Sequence, residues 1–219
     1  MITVFGGIKG GSGKTTLSTN LCVVQAFSGK KVLLVDADEQ QSARDWSEHR
    51  ESLEIDTPWT TISLFGASLR TQVLKLKSHY DEIIVDVGGR DTTSQRAALT
   101  IADILIVPFQ PRSLDVWTLG KLSSLLDEVC VINPELKTYA VINRADFQGK
   151  DNREAFEIIN ETGNIFCLDE MIYQRKVFAN ASAEGKGVIE TNPQDKKAVS
   201  EIQNLSNRIF RNDTILTSK

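Results

Sequence analysis

The sequence predicts an α/β fold, a doubly wound and mostly parallel sheet in one domain spanning residues 1–219. Three observations predict it. Short apolar runs rich in β-branched residues alternate with segments of helical periodicity along the chain, the pattern of repeated βαβ units. Several runs are almost continuously apolar, as at 2–8, 32–35 and 83–85, so those strands are buried on both faces. The first run passes through a glycine-rich turn straight into a helical segment, which aims backbone N–H groups and a positive helix end at one spot.

Taken in order, residues 2–8 form the first strand, and a helix from Lys14 runs to Ser28, where Gly29 ends it. Residues 32–35 form a strand leading into Asp36-Ala37-Asp38-Glu39-Gln40-Gln41. Two carboxylates spaced by two at a strand end point the same way, into a site or onto a solvated edge. A short helix over 42–51 carries Trp46, and 59–65 is a strand. Leu69, Val73, Leu74 and Leu76 share the buried face of a helix ending near Tyr80. Residues 82–87 form an apolar strand ending in Asp86, before Gly88 and Gly89. A strand over 102–109 is closed by Pro108 and Pro111, and a helix over 114–131 carries Trp117, Leu122, Leu125 and Leu126. Beyond a strand over 139–144 come a helix over 151–163, a short strand over 165–168 and a helix over 175–183. An amphipathic helix over 195–211, with Val199, Ile202, Leu205 and Ile209 inward, ends the pattern. Right-handed crossovers then bring the loops at 9–16, 36–40 and 86–89 together at the carboxyl ends of the strands.

Composition bounds the function. The formal net charge is −4, which argues against a uniformly DNA-coating surface. Charge is uneven, however: residues 1–170 carry 17 Lys and Arg against 24 Asp and Glu, whereas 171–219 carry 8 against 5. No apolar run approaches the roughly 20 residues of a membrane helix, and the amino terminus has no signal-peptide pattern, so a cytoplasmic protein is expected. Cys22, Cys130 and Cys167 lie far apart in apolar surroundings and read as buried thiols rather than metal ligands. His49 and His79 sit among charged residues and read as surface groups.

The chemistry concentrates in Lys9-Gly10-Gly11-Ser12-Gly13-Lys14-Thr15-Thr16. Glycines at 10, 11 and 13 let the backbone approach an anion with no Cβ in the way. Lys14 is placed to reach the β- and γ-phosphates of a nucleotide, and the Thr15 hydroxyl to meet Mg2+. Asp86, at a strand end, reads as the acid that holds Mg2+ through water, with a backbone N–H near Gly88 for the γ-phosphate; a plain turn is the alternative for the glycine pair. The common spacing of such loops has glycine five residues before Gly13. That position is Ile8, and an extra lysine, Lys9, follows it.

With that departure the loop resembles the deviant Walker A box of the ParA/MinD ATPases, Lys-Gly-Gly-x-Gly-Lys-Thr-Thr/Ser. The resemblance extends over nearly the whole chain and implies ATP and Mg2+ as cofactors. It gives Asp36 a place near the magnesium shell and Asp38 the task of orienting the attacking water; the family's proline is Glu39 here. It implies that Lys9 reaches the partner's phosphates in an ATP-dependent homodimer, where otherwise it is a lysine facing water. It makes Asn143 an adenine contact, with a loop-capping role as the alternative, and it likens residues 185–190 to a late family segment near the base and dimer face. Because the loop begins at residue 9, the chain resembles a small ParA with no helix-turn-helix region ahead of it. Implied partners are non-specific DNA and a centromere-binding ParB-like or cargo-adaptor protein, with nucleoid association and no membrane binding. Arg175, Lys176, Lys186, Lys196, Lys197, Arg208 and Arg211 are the candidate phosphate contacts. A metabolic P-loop enzyme of dethiobiotin-synthetase type, or a MinD-like membrane-associated ATPase, is the alternative.

Overall fold

A computed structural model describes residues 1–111, 116–148 and 150–210. Strand β1 (Ile2–Phe5) pairs in parallel with β4 (Glu82–Val87) on one side and β5 (Ile104–Phe109) on the other. Beyond β4 lie β2 (Val32–Ala37) and β3 (Trp59–Ser63). Beyond β5 lie β6 (Lys137–Ala145) and β7 (Phe166–Cys167), with β8 (Ile172–Tyr173) also paired to β6. All these pairings are parallel, in the order β3-β2-β4-β1-β5-β6-β7. The chain thus winds outward on both sides of β1 and opens a crevice at its carboxyl end, where such sheets bind ligands.

The period of two along each strand separates two cores. Ile2 and Val4, Leu33 and Val35, Ile83 and Val85, and Leu105 and Val107 face α3 (Ser68–Leu76), α4 (Thr93–Leu99), α5 (Val116–Cys130) and α6 (Asp151–Asn160). Phe5, Leu34, Ile84 and Ile106 face α1 (Lys14–Phe27), α2 (Ser42–Ser52), α7 (Lys176–Ala183) and α8 (Lys196–Phe210). By the same alternation Asp36 and Asp86, cross-strand partners in register, point to the α1 side. That parity, set by the apolar residues before them, delivers both carboxylates to the amino end of α1.

Several expectations are corrected. Strand β1 stops at Phe5 because the chain turns at Gly7, whose φ of 140° only glycine adopts freely. Helix α4 carries no helical periodicity in the sequence, although Thr92 caps it by accepting a bond from the Gln95 N–H at 3.1 Å. Strand β8 is only two residues long, too short for an alternating pattern to mark it. Leu74 is 45% and Trp117 82% exposed, so neither belongs to a buried face. Cys130 is exposed, whereas Cys22 and Cys167 are buried, and burial pushes the Cys167 thiol up to about 12. Among the described residues no helix is long and apolar enough to cross a membrane. The inward stripe of α8 (Ala198, Ile202, Leu205, Ile209) is already packed in the core.

Candidate active site

The loop after β1 is held open from three sides. Asn143, at the end of β6 and 4% exposed, donates to the Ser12 carbonyl at 2.7 Å. From the β5–α5 connection Gln110 donates to the Gly11 carbonyl at 2.7 Å. Gln95 of α4, fully buried, accepts from the Gly7 N–H at 3.2 Å. Gly11 and Gly13 have φ of 72° and 96°, and a Cβ on Gly13 would collide with the Asn143 amide. The backbone is therefore fixed in a cradle before any anion arrives.

Inside the cradle, Lys14 is 7% exposed and donates to the Lys9 carbonyl at 3.0 Å. Burial lowers its pKa, while Asp86 and Asp38 hold the charge in place. Lys9 itself is exposed at the mouth, so one loop carries an inward and an outward lysine. Thr15 donates to Asp86 Oδ2 at 2.6 Å, and Asp86 Oδ1 is buried without a hydrogen-bond partner. An orphaned carboxylate oxygen beside a hydroxyl and an ammonium suits a hydrated Mg2+ ion carrying phosphate. Among the described residues no group of three His, Cys, Asp or Glu side chains could hold a metal by itself.

Both oxygens of Asp36 have backbone donors, Asp38 N at 3.0 Å and Arg44 N at 2.9 Å. In this structure Asp36 ties the Asp38 loop to the start of α2. Burial raises its pKa against the pull of those N–H groups. Asp38 is less buried and accepts from the Gln40 N–H at 3.1 Å. Its carboxylate lies 3.3 Å from where a Cβ on Gly88 would stand, and a Cβ on Gly89 would lie 2.6 Å from Gly10 Cα. The three loops read from the sequence thus touch, and the glycine pair is what lets them. Together they line a cleft of about 580 Å3 that includes Gly10, Gly11, Gly13, Lys14, Thr15, Thr16, Asp38 and Gly88, within the range of small-molecule sites.

Burial is also the main reason that the Asp86 pKa rises to about 7. Between pH 4 and 7 the nucleotide-free folded state keeps a proton on Asp86 that the unfolded chain has released. Stability contributed by this group therefore falls as pH rises through that window and levels off above it, by roughly 1.4 kcal/mol per pKa unit. Urea denaturation of the parent and Asp86→Asn from pH 4.5 to 8 should show the parent losing stability relative to the variant. Parallel profiles would remove the assignment.

Not every expected residue meets the cleft. Asn143 is packed beneath the loop and acts there as a brace. Of the basic candidates, Arg175 is paired with Glu201 at 2.6 Å, Lys186 with Glu184 at 2.9 Å and Arg208 with Glu170 at 3.8 Å; Arg211 lies outside the described residues. Lys176, Lys196 and Lys197 are exposed with no acid within 4 Å among the described residues. They occupy the first turns of α7 and α8, which a 4.0 Å contact between Arg175 and Asp195 brings side by side. Sequence reading missed the braces Gln95 and Gln110 and two cleft arginines, Arg90 and Arg144. Arg144 has φ of 54°, a conformation costing a non-glycine residue about 1 kcal/mol.

A glycine cradle, an inward lysine, a Thr–Asp pair and a central parallel sheet define a P-loop nucleotide-binding protein. The chain belongs to the CobQ/CobB/MinD/ParA nucleotide-binding family, whose model matches residues 3–188, and it is an ATPase of that family. It is 28% identical to the maintenance of carboxysome distribution protein A of Halothiobacillus neapolitanus, over 93% of each chain. It is 27% identical to the sporulation initiation inhibitor protein Soj of Bacillus subtilis, over 87% of this chain and 90% of Soj. Its fold matches a Cyanothece McdA variant solved with ATP, with a TM-score of 0.76 at 17% identity over 95% of each chain.

Proposed function

We propose that this ATPase is a dimerisation switch that positions or partitions a cargo, either DNA or a protein compartment, on non-specific DNA. The observation that carries the reading is the loop's two lysines, Lys14 buried against the cradle and Lys9 exposed at its mouth. Lys14 serves the phosphates of its own subunit. Lys9 faces out, where it meets a second copy and makes dimerisation depend on ATP. The relatives named for maintenance of carboxysome distribution support a positioning role.

The chemistry follows from the residues. Lys14 exchanges the Lys9 carbonyl for β- and γ-phosphate oxygens and neutralises charge developing there. Thr15 and Asp86 would hold Mg2+, which would supply further neutralisation of that charge. Asp38, fixed by Asp36 through its own N–H and set against Gly88, orients water toward the γ-phosphorus. Gly10, Gly11, Ser12, Gly13 and Thr16 complete the backbone cradle. DNA binding falls to Lys176, Lys196 and Lys197, at the positive ends of two adjacent helices. These three lysines are too few to hold DNA firmly on one subunit. Two copies of the patch can do so, which links binding to the ATP dimer. A ParB-like or adaptor protein is the partner expected to stimulate hydrolysis.

The test combines sedimentation with a salt series on unrelated duplexes, in ATP, in ADP and without nucleotide. A non-hydrolysable ATP analogue should dimerise the parent but not Lys9→Ala, which still binds nucleotide as a monomer. Six phosphate contacts per dimer predict a slope of log K against log salt of roughly −5, with little sequence preference. Equal DNA binding in all three states would remove the switch. Absence of binding, together with stimulation by a small metabolite, would favour the metabolic alternative.

A further inference from the structure

We infer that Arg144 binds the nucleotide, its guanidinium taking the α-phosphate at the end remote from hydrolysis. The inference rests on the cleft taking ATP. The sheet order places the residues flanking the γ-phosphate, Asp38 after β2 and Gly88 after β4, on one side of β1, and β6 with Arg144 on the other. Arg144 lines the same cleft as Gly13, Lys14 and Thr16, so the nucleotide extends toward it from the hydrolysis centre.

Its backbone shows that this placement is imposed. The pairing of β6 with β8 shifts register between Asn143 and Ala145, and Arg144 in that bulge has φ of 54°. Glycine or asparagine suits such a position, and bulges beside active sites serve to re-aim a side chain. The preceding residue is anchored, since Asn143 donates to the Ser12 carbonyl at 2.7 Å. Arg144 therefore stands at a set distance from the phosphate loop. It is exposed and has no acid within 4 Å among the described residues, so its charge is available to an incoming anion. A solvent-facing residue filling a bulge needs no arginine; a planar cation offering two parallel N–H groups to a phosphate does.

Arg144→Gly separates the two explanations, because it relieves the backbone while removing the guanidinium. Calorimetric titration of the full chain with Mg2+ and ATP or ADP should show both affinities reduced about 10-fold, with KM for ATP rising more than kcat falls. The thermal midpoint should be no lower than the parent's. Arg144→Lys, keeping a charge without the fork, should fall between. Unchanged ATP and ADP affinities in Arg144→Gly would overturn the inference. A loss confined to ATP would overturn it in favour of a γ-phosphate contact, and an altered ATP-to-GTP preference in favour of a base contact. If the parent itself binds neither nucleotide, the reading of the cleft fails and the inference with it.

Discussion

Replacing Asp38 by alanine lowers kcat for ATP hydrolysis by about 10²-fold or more while ATP still binds, the range expected when a group that positions or deprotonates water is lost. The residues assigned to the phosphates and Mg2+ are untouched by this change: Lys14 and Asp86 are buried, and Thr15 is already bonded to Asp86. A dimer formed with ATP should then persist for as long as ATP remains. Asp38 also accepts from the Gln40 N–H at 3.1 Å, so alanine frees the loop as well as removing the carboxylate. Asp38→Asn separates these effects, because the amide oxygen can still accept from Gln40 but cannot take a proton. If asparagine is as slow as alanine, the carboxylate's charge matters; if it restores most of the rate, positioning does. Single-turnover hydrolysis and gel filtration with ATP provide both readouts, and hydrolysis at the parental rate in both variants would sink the assignment.

The parts of this site carried by local pattern were legible in the sequence, and those carried by tertiary packing were not. Glycines at 10, 11 and 13, the lysine–threonine pair, and acids closing two apolar strands announce themselves, because each is tied to a strand end by the period of two. That Asp86 and Asp36 would face α1 follows from the same alternation, yet the partners of Asp36 do not. They are N–H groups of Asp38 and Arg44, visible only once α2 is docked. Asn143 is legible as a polar residue at a strand end, but that its amide braces Ser12 follows only from how β6 packs beside the loop. Gln95 and Gln110 had no signal, since a lone glutamine becomes a brace only through where its helix or loop lies. Helix α4 had one, the Thr92 cap three residues before Gln95, in a segment too short for periodicity to register. Trp117 shows why spacing alone cannot assign a core: on helix α5 it lies away from Leu119, Leu122, Leu125 and Leu126, which are buried.

Arg50→Ala destabilises the fold by about 3–5 kcal/mol, as expected when one member of a buried ion pair is removed. Arg50 is fully buried at the end of α2. Nη1 donates to Gly185 O at 2.9 Å and to Glu190 Oε2 at 2.8 Å, Nη2 donates to Glu190 Oε1 at 2.7 Å, and the Asp56 carbonyl accepts from Nε and Nη2. The guanidinium also lies 4.8 Å from the Trp59 ring centre, and Trp59 stacks on Trp46 at 5.6 Å. Gly185, with φ of 65°, permits the approach, because a Cβ there would lie 2.9 Å from Arg50 Cα. The segment 185–190 thus clamps the far end of the helix whose near end is held by Asp36. Alanine leaves Glu190 charged without its partner and two carbonyls without donors. For a domain of this length the loss lowers the thermal midpoint by roughly 6–20 °C. Arg50→Lys should recover little, since an ammonium cannot serve three separated acceptor groups in one plane. Arg50→Met with Glu190→Met should lose less than the two single changes combined, because no buried charge is stranded. Chemical denaturation of the four proteins measures this coupling directly. An Arg50→Ala variant within about 1 kcal/mol of the parent would show that the clamp contributes nothing to the fold. Strict additivity would show instead that Arg50 and Glu190 act independently.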